Sequence, residues 1–377
     1  MSFGKVLIRR GMEDFTLYTF AIILAFYMNN PETKPEIFTP EERDENEGRK
    51  RELIELVASG EAVLIVGAGS SARVGYVTWG RLLEELEDLA NQWGVGLNQE
   101  RKGDALAYAE DIKSHIRDKT GGLGRYYALL QSLFSPKDPP CKDFHRKLVS
   151  FPFRGILTTN YDTVLEAALG EIEPHSAYDN SFIIEENSAG RVHEFLMAMN
   201  NRKRMTRRIA HLHGRFDLAN SIILSIGDYK RAYGLNLADE KSQQENEWKL
   251  RFRLLWAVLA TRRVVFVGFS LGDPYFEEML KIVSEDLWTW NKSTHFAIMN
   301  ISSKGAEDSK DKAERLNNEY GVSAVFYEDS DNLHRGLDQI VDEIHEACTV
   351  RSQPTTDQVD WLEEVNRHME QGIDDEN

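Results

Sequence analysis

Five apolar stretches of this chain are each followed by residues that could bind and cleave a phosphate-bearing molecule. Glycine N–H groups and serine hydroxyls bind phosphate, an asparagine amide can orient a hydroxyl or a water, and histidine can act as a general base. In chain order these segments are Gly67-Ala68-Gly69-Ser70-Ser71, Thr158-Thr159-Asn160-Tyr161-Asp162, His213-Gly214, Gly268-Phe269-Ser270 and Asn300. Because doubly wound folds bind ligands at the carboxyl ends of strands, we expect the five segments to form one site.

The first segment has the spacing of a nucleotide-binding glycine turn, G-x-G-x-x-[GA], at Gly67, Gly69 and Ala72. No lysine follows in the Walker arrangement, which disfavours a P-loop ATPase. A dehydrogenase needs an acidic residue at the end of its second strand, whereas the candidates between 84 and 87 lie in an amphipathic helical pattern. The turn therefore predicts nucleotide binding in a manner that differs from both classes.

Each segment also has an explanation that involves no ligand. Asn160 could cap the following helix, and a histidine at a strand end is often structural. His211 is a second candidate base, because in a regular strand it would share a face with His213. The agreement of all five strand ends favours a site over packing alone.

Strands that alternate with helices must position these residues. The predicted strands lie at 62–66, within 153–158, within 207–213, within 262–267, at 294–300 and at 321–328. Helices are predicted from Pro40 to near Ser59, over 78–91 and 104–134, after the 158–162 segment, from Pro274, and over 333–346. This order predicts an α/β fold, a doubly wound (Rossmann-like) parallel sheet with an inserted helical layer at about 81–151 and 169–205.

Composition narrows the classes of function. The 377 residues carry a net charge of −17, which argues against direct nucleic-acid binding, and 41% are hydrophobic, which is enough for a substantial core. Cys141 and Cys348 are the only cysteines, so a disulfide framework and a four-cysteine zinc site are excluded by number. Two free thiols suit a reducing cytoplasm.

The two ends of the sequence differ from its centre. The apolar run 15–28 is shorter than the roughly twenty residues of a membrane span, and we interpret it as a buried or subunit-contact helix. We expect an N-terminal segment and linker over 1–48, the α/β domain over 49–346, and an acidic tail over 347–377. The basic run 201–208 is either a solvated face or an anion or partner site.

In motif content and order, the sequence resembles the sirtuin superfamily over about residues 50–345. The matching pieces are GAGSSARVGYVTW, TTNYD, LHG, VGFSL and MN. They correspond to the glycine loop, the T-x-N-x-D segment, the catalytic His-Gly, a G-x-S loop and a late asparagine of that superfamily.

Two departures separate the chain from sirtuin deacylases. No four zinc-binding cysteines follow the His-Gly, and the arginine of the deacylase G-I-P-x-F-R segment is absent from residues 75–80. The pieces YVTWGRLL, IILSIGDYKRAY and VGFSLGDPY instead resemble prokaryotic sirtuin-like domains of antiphage defence. That resemblance implies NAD hydrolysis, in some systems together with a HerA-type ATPase, an Argonaute-like partner or a fused sensor domain.

The resemblance also implies a role for each matching residue. His213 would be the general base, Asn160 would position the ribose and the attacking water, and Asp162 would engage the carboxamide or nearby hydroxyls. The residues assigned to binding of NAD are Gly67, Ala68, Gly69 and Ser71 at the pyrophosphate, Ser270 at a phosphate, Asn300 at the adenosine ribose, and Trp79, Thr159 and Gly268 within the motifs. No metal is expected.

The resulting hypothesis is a cytoplasmic NAD glycohydrolase (NADase) in which NAD is the substrate. Its resting activity would be low and controlled by homo-oligomerisation or by a separate subunit, without direct contact to nucleic acid or membrane. The alternatives are a non-catalytic NAD or ADP-ribose sensor or scaffold and a protein deacylase. The residues leave open whether the first cleavage leads to hydrolysis or to cyclisation.

Overall fold

The computed structural model describes most of the chain between residues 37 and 352. The described ranges are 37–94, 96–97, 102–173, 181–200, 208–234, 249–269, 271, 273–287, 294–303, 305–329 and 334–352. Four predicted features lie outside them: the apolar run 15–28, the basic run up to residue 207, Ser270, and the acidic tail from residue 353.

One sheet of seven parallel strands organises the described residues. Its strands are β1 (Ala62–Val66), β2 (Ile156–Thr158), β3 (Ser181–Ile183), β4 (Ile209–His211), β5 (Arg263–Val267), β6 (His295–Ile301) and β7 (Val322–Glu328). They lie in the order β3-β4-β2-β1-β5-β6-β7, and every neighbouring pair is parallel. The predicted doubly wound α/β fold is confirmed.

Helices cover both faces of this sheet. They are α1 (Pro40–Ser59), α2 (Ala68–Ala72), α3 (Trp79–Asn91), α4 (Ala105–Arg117), α5 (Gly122–Phe134), α6 (Asp143–Ser150), α7 (Val164–Ile172), α8 (Ala189–Ala198), α9 (Ile226–Tyr233), α10 (Leu250–Thr261), α11 (Pro274–Leu287), α12 (Ala306–Tyr320) and α13 (Arg335–Ser352). None of the helices in the described ranges is long and apolar enough to cross a membrane.

The apolar run of β1 is continuous because the strand is buried on both faces. Ala62, Leu64 and Val66 belong to a core cluster with α1, α3–α7 and α13, whereas Val63 and Ile65 belong to the cluster on the opposite face, with α8–α11. Alternate side chains of a strand point to opposite faces, so every residue of β1 enters one core or the other.

Helix starts were well predicted from local chemistry. Thr39 caps α1 through its side chain and Glu42 completes the capping box, with Pro40 as the first helical residue. Helix α11 begins at Pro274, as the fixed φ of proline suggests.

Three local predictions were incomplete or wrong. The segment 169–205, predicted as helical, contains the strand β3, which pairs with β4 at the sheet edge. The helical stretch 104–134 is two helices, because Gly121 adopts a left-handed conformation between them. Strand β4 ends at His211, so His213 lies two residues beyond the strand rather than within it.

Candidate active site

The direction in which successive strands are added to the sheet changes between β1 and β5. After β1 the chain adds β2, β3 and β4 on one side of that strand, and it then places β5 on the other side. In doubly wound folds ligands bind at the carboxyl ends of the strands that flank such a reversal. The glycine turn follows β1 directly and Gly268 follows β5 directly, so both lie at this point.

The two turns at the reversal contact each other through their backbones. The N–H of Gly67 donates to the Val267 carbonyl (3.0 Å), and the N–H of Gly69 donates to the Gly268 carbonyl (2.9 Å). A Cβ on Gly67 would lie 2.5 Å from the Gly268 oxygen, and Gly268 itself has a φ of +63°. Because β1 and β5 are neighbours, the amides of Gly67 and Gly69 are bonded within the protein, which differs from the expectation that they donate to a pyrophosphate. Ala68 and Gly69 are nevertheless exposed.

Asn160 joins the end of β2 to the glycine turn. Its backbone N–H donates to Thr158 Oγ1 (3.0 Å), and its side-chain Nδ2 donates to the Gly67 carbonyl (3.1 Å) and to Ser71 Oγ (2.9 Å). The Gly67 carbonyl can only accept, so this bond fixes which end of the amide is nitrogen. The Oδ1 of Asn160 is then buried and accepts no hydrogen bond from any residue that the structure describes. A group that donates a hydrogen bond, such as a ribose hydroxyl, would satisfy it.

Asp162 lies in the same cluster and is 4% exposed. Its carboxylate accepts from the N–H of Val164 (3.0 Å), at the first residue of α7, and from the hydroxyl of Ser71. Burial raises the pKa of Asp162, and those two hydrogen bonds oppose the rise. The carboxyl group thus orders the start of α7 and the side chain of Ser71 together.

His213 has a separate set of neighbours. Its carbonyl accepts from the N–H of Ile223 (2.9 Å), and its ring meets Tyr229 and Tyr233 edge to face at centroid distances of 5.1 and 6.0 Å. The Tyr229 hydroxyl lies 3.5 Å from Nδ1 of His213 and donates to the Asp273 carboxylate (2.5 Å). Since the phenol proton goes to Asp273, the phenol oxygen accepts from Nδ1–H, which leaves Nε2 of His213 as the basic nitrogen.

His213 is a weaker base than an unperturbed histidine, whose pKa is about 6.5. Burial and, to a smaller extent, the positive charge of Arg251 together lower the pKa of His213 to about 3. The side chain is 5% exposed, so the ring is neutral at physiological pH.

His211 forms a buried ion pair on the opposite face. Its Nε2 lies 2.6 Å from the Glu166 carboxylate and its Nδ1 lies 3.1 Å from the Asn160 carbonyl. Both partners are acceptors, which suits a ring that carries two protons. Burial alone would lower the pKa of His211, but Glu166 outweighs it and the pKa is raised. His211 and His213 do not share a face, because β4 ends between them.

Trp79, Thr159 and Asn300 lie outside both the hydrogen-bonded cluster around Asn160 and the one around His213. Trp79 is the first residue of α3 and packs, half-buried, against both core clusters. Thr159 is half-buried beside Asn160, and Asn300 is exposed on β6 near its carboxyl end. Across the described ranges, no three His, Cys, Asp or Glu side chains are grouped closely enough to hold a metal ion.

Two cavities of about 670 Å³ each lie near the carboxyl edge of the sheet. The first, which we call the Arg73 cavity, is lined by Gly69 and Ala72 of the glycine turn and by side chains of α6 and α13. The second, the Arg251 cavity, lies between the residues that follow β3, the 220–223 segment, the end of α9 and the start of α10. Among the described residues, Asn160 and His213 line neither cavity, and each is 5% exposed.

Sequence reasoning missed the partners of both histidines. Tyr229 and Tyr233 are four residues apart on α9, so they share a helix face, and this spacing was the available signal. Asp273 caps the start of α11 by accepting from the N–H of Tyr275 (3.0 Å) while its other oxygen binds Tyr229. Glu166 gave no signal, because it is one glutamate on an apolar helix.

Comparison with known proteins finds similarity to sirtuin-like proteins. Residues 154–325 match a family model described as SIR2-like domain. A protein of Enterococcus faecium named NAD(+) hydrolase ThsA is 26% identical over 260 residues, which cover 68% of this chain and 47% of that protein. A protein of the same name from Bacillus cereus is 24% identical, over 59% of this chain and 40% of its own length. Defense-associated sirtuin 2 of Bacillus subtilis is 23% identical, over 62% of this chain and 20% of its own length.

The chain spans less than half the length of these curated relatives. The matched region holds strands β2 to β6, together with Asn160 after β2 and His213 after β4. The resemblance to sirtuins that the motifs indicate is therefore confirmed for residues 154–325, which are similar to a SIR2-like domain.

Proposed function

We propose that this protein is a NAD hydrolase that cleaves the bond between nicotinamide and ribose and releases nicotinamide and ADP-ribose. The observation that carries the proposal is the buried Oδ1 of Asn160, which lies beside the glycine turn and accepts no hydrogen bond within the described part of the chain. A buried carbonyl without a donor costs about 1–3 kcal/mol, and a ribose hydroxyl would remove that cost.

Cleavage of this bond requires little general-acid catalysis. Nicotinamide leaves as a neutral molecule from a positively charged ring, so the site must orient the ribose, stabilise an oxocarbenium-like carbon and place a water. Asn160 would hold the ribose and the water, and Asp162 would engage the carboxamide or a hydroxyl. The Asp162 carboxylate also offers negative charge to the developing cation.

His213 would accept the proton of the attacking water on Nε2. A pKa of about 3 makes it a weak base, but an oxocarbenium carbon is a strong electrophile. The water becomes acidic as its bond to that carbon forms, so a weak base that is correctly oriented suffices. The Tyr229–Asp273 pair would hold the ring in the tautomer that presents Nε2.

The ADP half of NAD would lie over the exposed part of the glycine turn and in the Arg73 cavity. Ser71, Ala68 and Gly69 would face the pyrophosphate, although the N–H of Gly69 must first leave the Gly268 carbonyl. The remaining proposed binding residues are Gly67, Trp79, Thr159, Gly268, Ser270 and Asn300. Arg73, Lys142 and Lys147 line this cavity, where Arg73 pairs with Asp338 and Lys147 pairs with Asp143 and Asp342.

The biological role proposed is antiphage defence through depletion of NAD. Its support is that relatives carry the names NAD(+) hydrolase and defense-associated sirtuin. Such an enzyme would work in the cytoplasm at low resting activity. Control would come from homo-oligomerisation, in which the 1–48 segment could take part, or from a separate subunit such as a HerA-type ATPase. In this proposal the rest of the chain divides into an α/β domain over 49–346 and an acidic tail over 347–377.

Chromatography of NAD incubated with the purified protein tests the proposal. Hydrolysis predicts nicotinamide and ADP-ribose in equal amounts, whereas a cyclic product would assign the chain to cyclisation. Intact NAD after prolonged incubation, with and without a candidate partner, would support a non-catalytic sensor or scaffold. Loss of acetyl groups from an acetylated peptide, only when NAD is present, would support a deacylase.

A further inference from the structure

The Arg251 cavity is positively charged within a strongly acidic protein. The four basic side chains that line it are Arg231, Lys249, Arg251 and Arg253. Three carboxylates oppose this charge. Glu185 and Glu186 line the cavity and favour the charged form of Arg251, and Asp228 pairs with Arg231 (2.7 Å). The Arg73 cavity, by contrast, balances three Lys or Arg side chains with three aspartates.

Two features place positive charge at the surface of this cavity. Arg251 is only 8% exposed, and its Nε donates to the Leu212 carbonyl (2.9 Å), which holds the guanidinium in a fixed place. The N-terminus of the twelve-residue helix α10 also opens here, with Lys249 as the N-cap. Because a lysine side chain has no acceptor, it cannot satisfy the first N–H groups of α10, which together with the helix dipole attract anions.

We infer that the Arg251 cavity is a second ligand site, distinct from the proposed NAD site, that binds a small molecule carrying phosphate groups. Its volume of about 670 Å³ lies within the range of small-molecule sites. Guanidinium groups and a helix N-terminus match phosphate oxygens in charge and in hydrogen-bond geometry.

Such a ligand would act on the segment that carries His213. Residue Ile223 lines the cavity and donates to the His213 carbonyl, and Arg251 bonds to the Leu212 carbonyl directly before it. The charge of Arg251 also disfavours protonation of the His213 ring. An anion bound beside Arg251 would offset that charge and strengthen His213 as a base.

Binding is tested with inorganic pyrophosphate and, separately, with adenosine monophosphate, by isothermal titration calorimetry of the full chain. Arg253 is exposed and lines only this cavity, so R253E should fold normally and weaken binding at least tenfold. The matched control is R51E on α1, an exposed arginine outside both cavities, which should change affinity less than twofold. Preference for the nucleotide over pyrophosphate would identify a nucleotide ligand, and the reverse preference a free phosphate anion.

Absence of binding by both probes, or equal weakening by R253E and R51E, would overturn the inference. A second readout, which rests on the proposed function, is the rate of NAD cleavage with saturating pyrophosphate. We expect at least a twofold increase that R253E lacks, and equal responses of the two proteins would contradict the coupling. If no preparation cleaves NAD, the calorimetry still decides whether the second site exists.

Discussion

His211 and His213 lie two residues apart at the end of one strand, yet their surroundings are opposite. His211 points to the α7 face, where Glu166 and a backbone carbonyl surround it with acceptors. His213 points to the α9 face, where two tyrosine rings pack against it and the positive charge of Arg251 disfavours its protonation. The pKa of the first is raised and that of the second is lowered to about 3.

The difference shows that the end of β4 separates a structural histidine from a candidate base. A charged ring locked between two acceptors has no lone pair left to accept a proton. The neutral ring of His213 keeps one on Nε2, held in place by Tyr229. Substitutions on the two sides should therefore affect different properties of the protein.

The largest effect is expected for H213A. Removal of a general base typically lowers a rate 10²- to 10⁴-fold, and we expect a loss in that range for NAD cleavage. NAD affinity, measured by calorimetry, should stay within about tenfold, because the ring does not hold the dinucleotide. H211Q is the matched control, and a larger loss of cleavage in H211Q than in a folded H213A would reverse the assignment.

N160A should come next, with about a hundredfold loss of NAD cleavage and NAD affinity within about tenfold. The change removes the acceptor proposed for the ribose and also the bonds that tie β2 to Gly67 and Ser71. Thermal unfolding would measure how far the loss of these bonds destabilises the folded protein. N160D keeps the shape but loses the two donors, so full cleavage by N160D would refute the positioning role.

E166Q should mainly reduce stability. Breaking a buried ion pair by removing one partner costs about 3–5 kcal/mol, less where the replacement still accepts a hydrogen bond. We expect a destabilisation of about 2 kcal/mol in urea unfolding, with NAD cleavage by the folded protein within about tenfold. Unchanged stability would show that His211 is not held as an ion pair.

The smallest effects are opposite dependences of stability on pH. His211 has a raised pKa in the folded state. Its contribution to the free energy of unfolding is therefore complete below about pH 6.5 and is lost as the pH rises through that folded-state pKa. His213 has a lowered pKa, so its contribution is complete above about 6.5 and is lost as the pH falls toward 3. Urea unfolding of H211Q and H213Q at several pH values measures each difference from the wild type.

H211Q should be relatively most destabilised in the acidic range and H213Q in the neutral to alkaline range. The same pH trend for both variants would mean that the two rings share one environment.

Local chemistry in the sequence was enough to predict most of the framework. Continuous apolar runs gave β1, β5, β6 and β7, and the capping residues around Pro40 and Pro274 gave two helix starts. Strand β3 was missed because three residues at a sheet edge, Ser181–Ile183, carry too little pattern. The inserted helices were predicted as a region but not individually.

The candidate site residues were proposed from the sequence, but the contacts among them could not be predicted from it. Order along the chain could place Asn160 and the glycine turn at one sheet edge, and they are hydrogen-bonded there. The Tyr229–Asp273 contact joins residues far apart in the sequence, and the low pKa of His213 depends on the packing of α9 and α10 around it. The bonds between the two glycine turns likewise follow from the pairing of β1 with β5.

The most direct test of the proposed NAD site is a crystal structure of the H213A variant with NAD bound. We expect the nicotinamide ribose to lie against Oδ1 of Asn160, with its glycosidic carbon facing the position of the missing imidazole and the pyrophosphate along residues 68–71. NAD bound in the Arg251 cavity instead, or with its glycosidic bond away from both Asn160 and position 213, would contradict it.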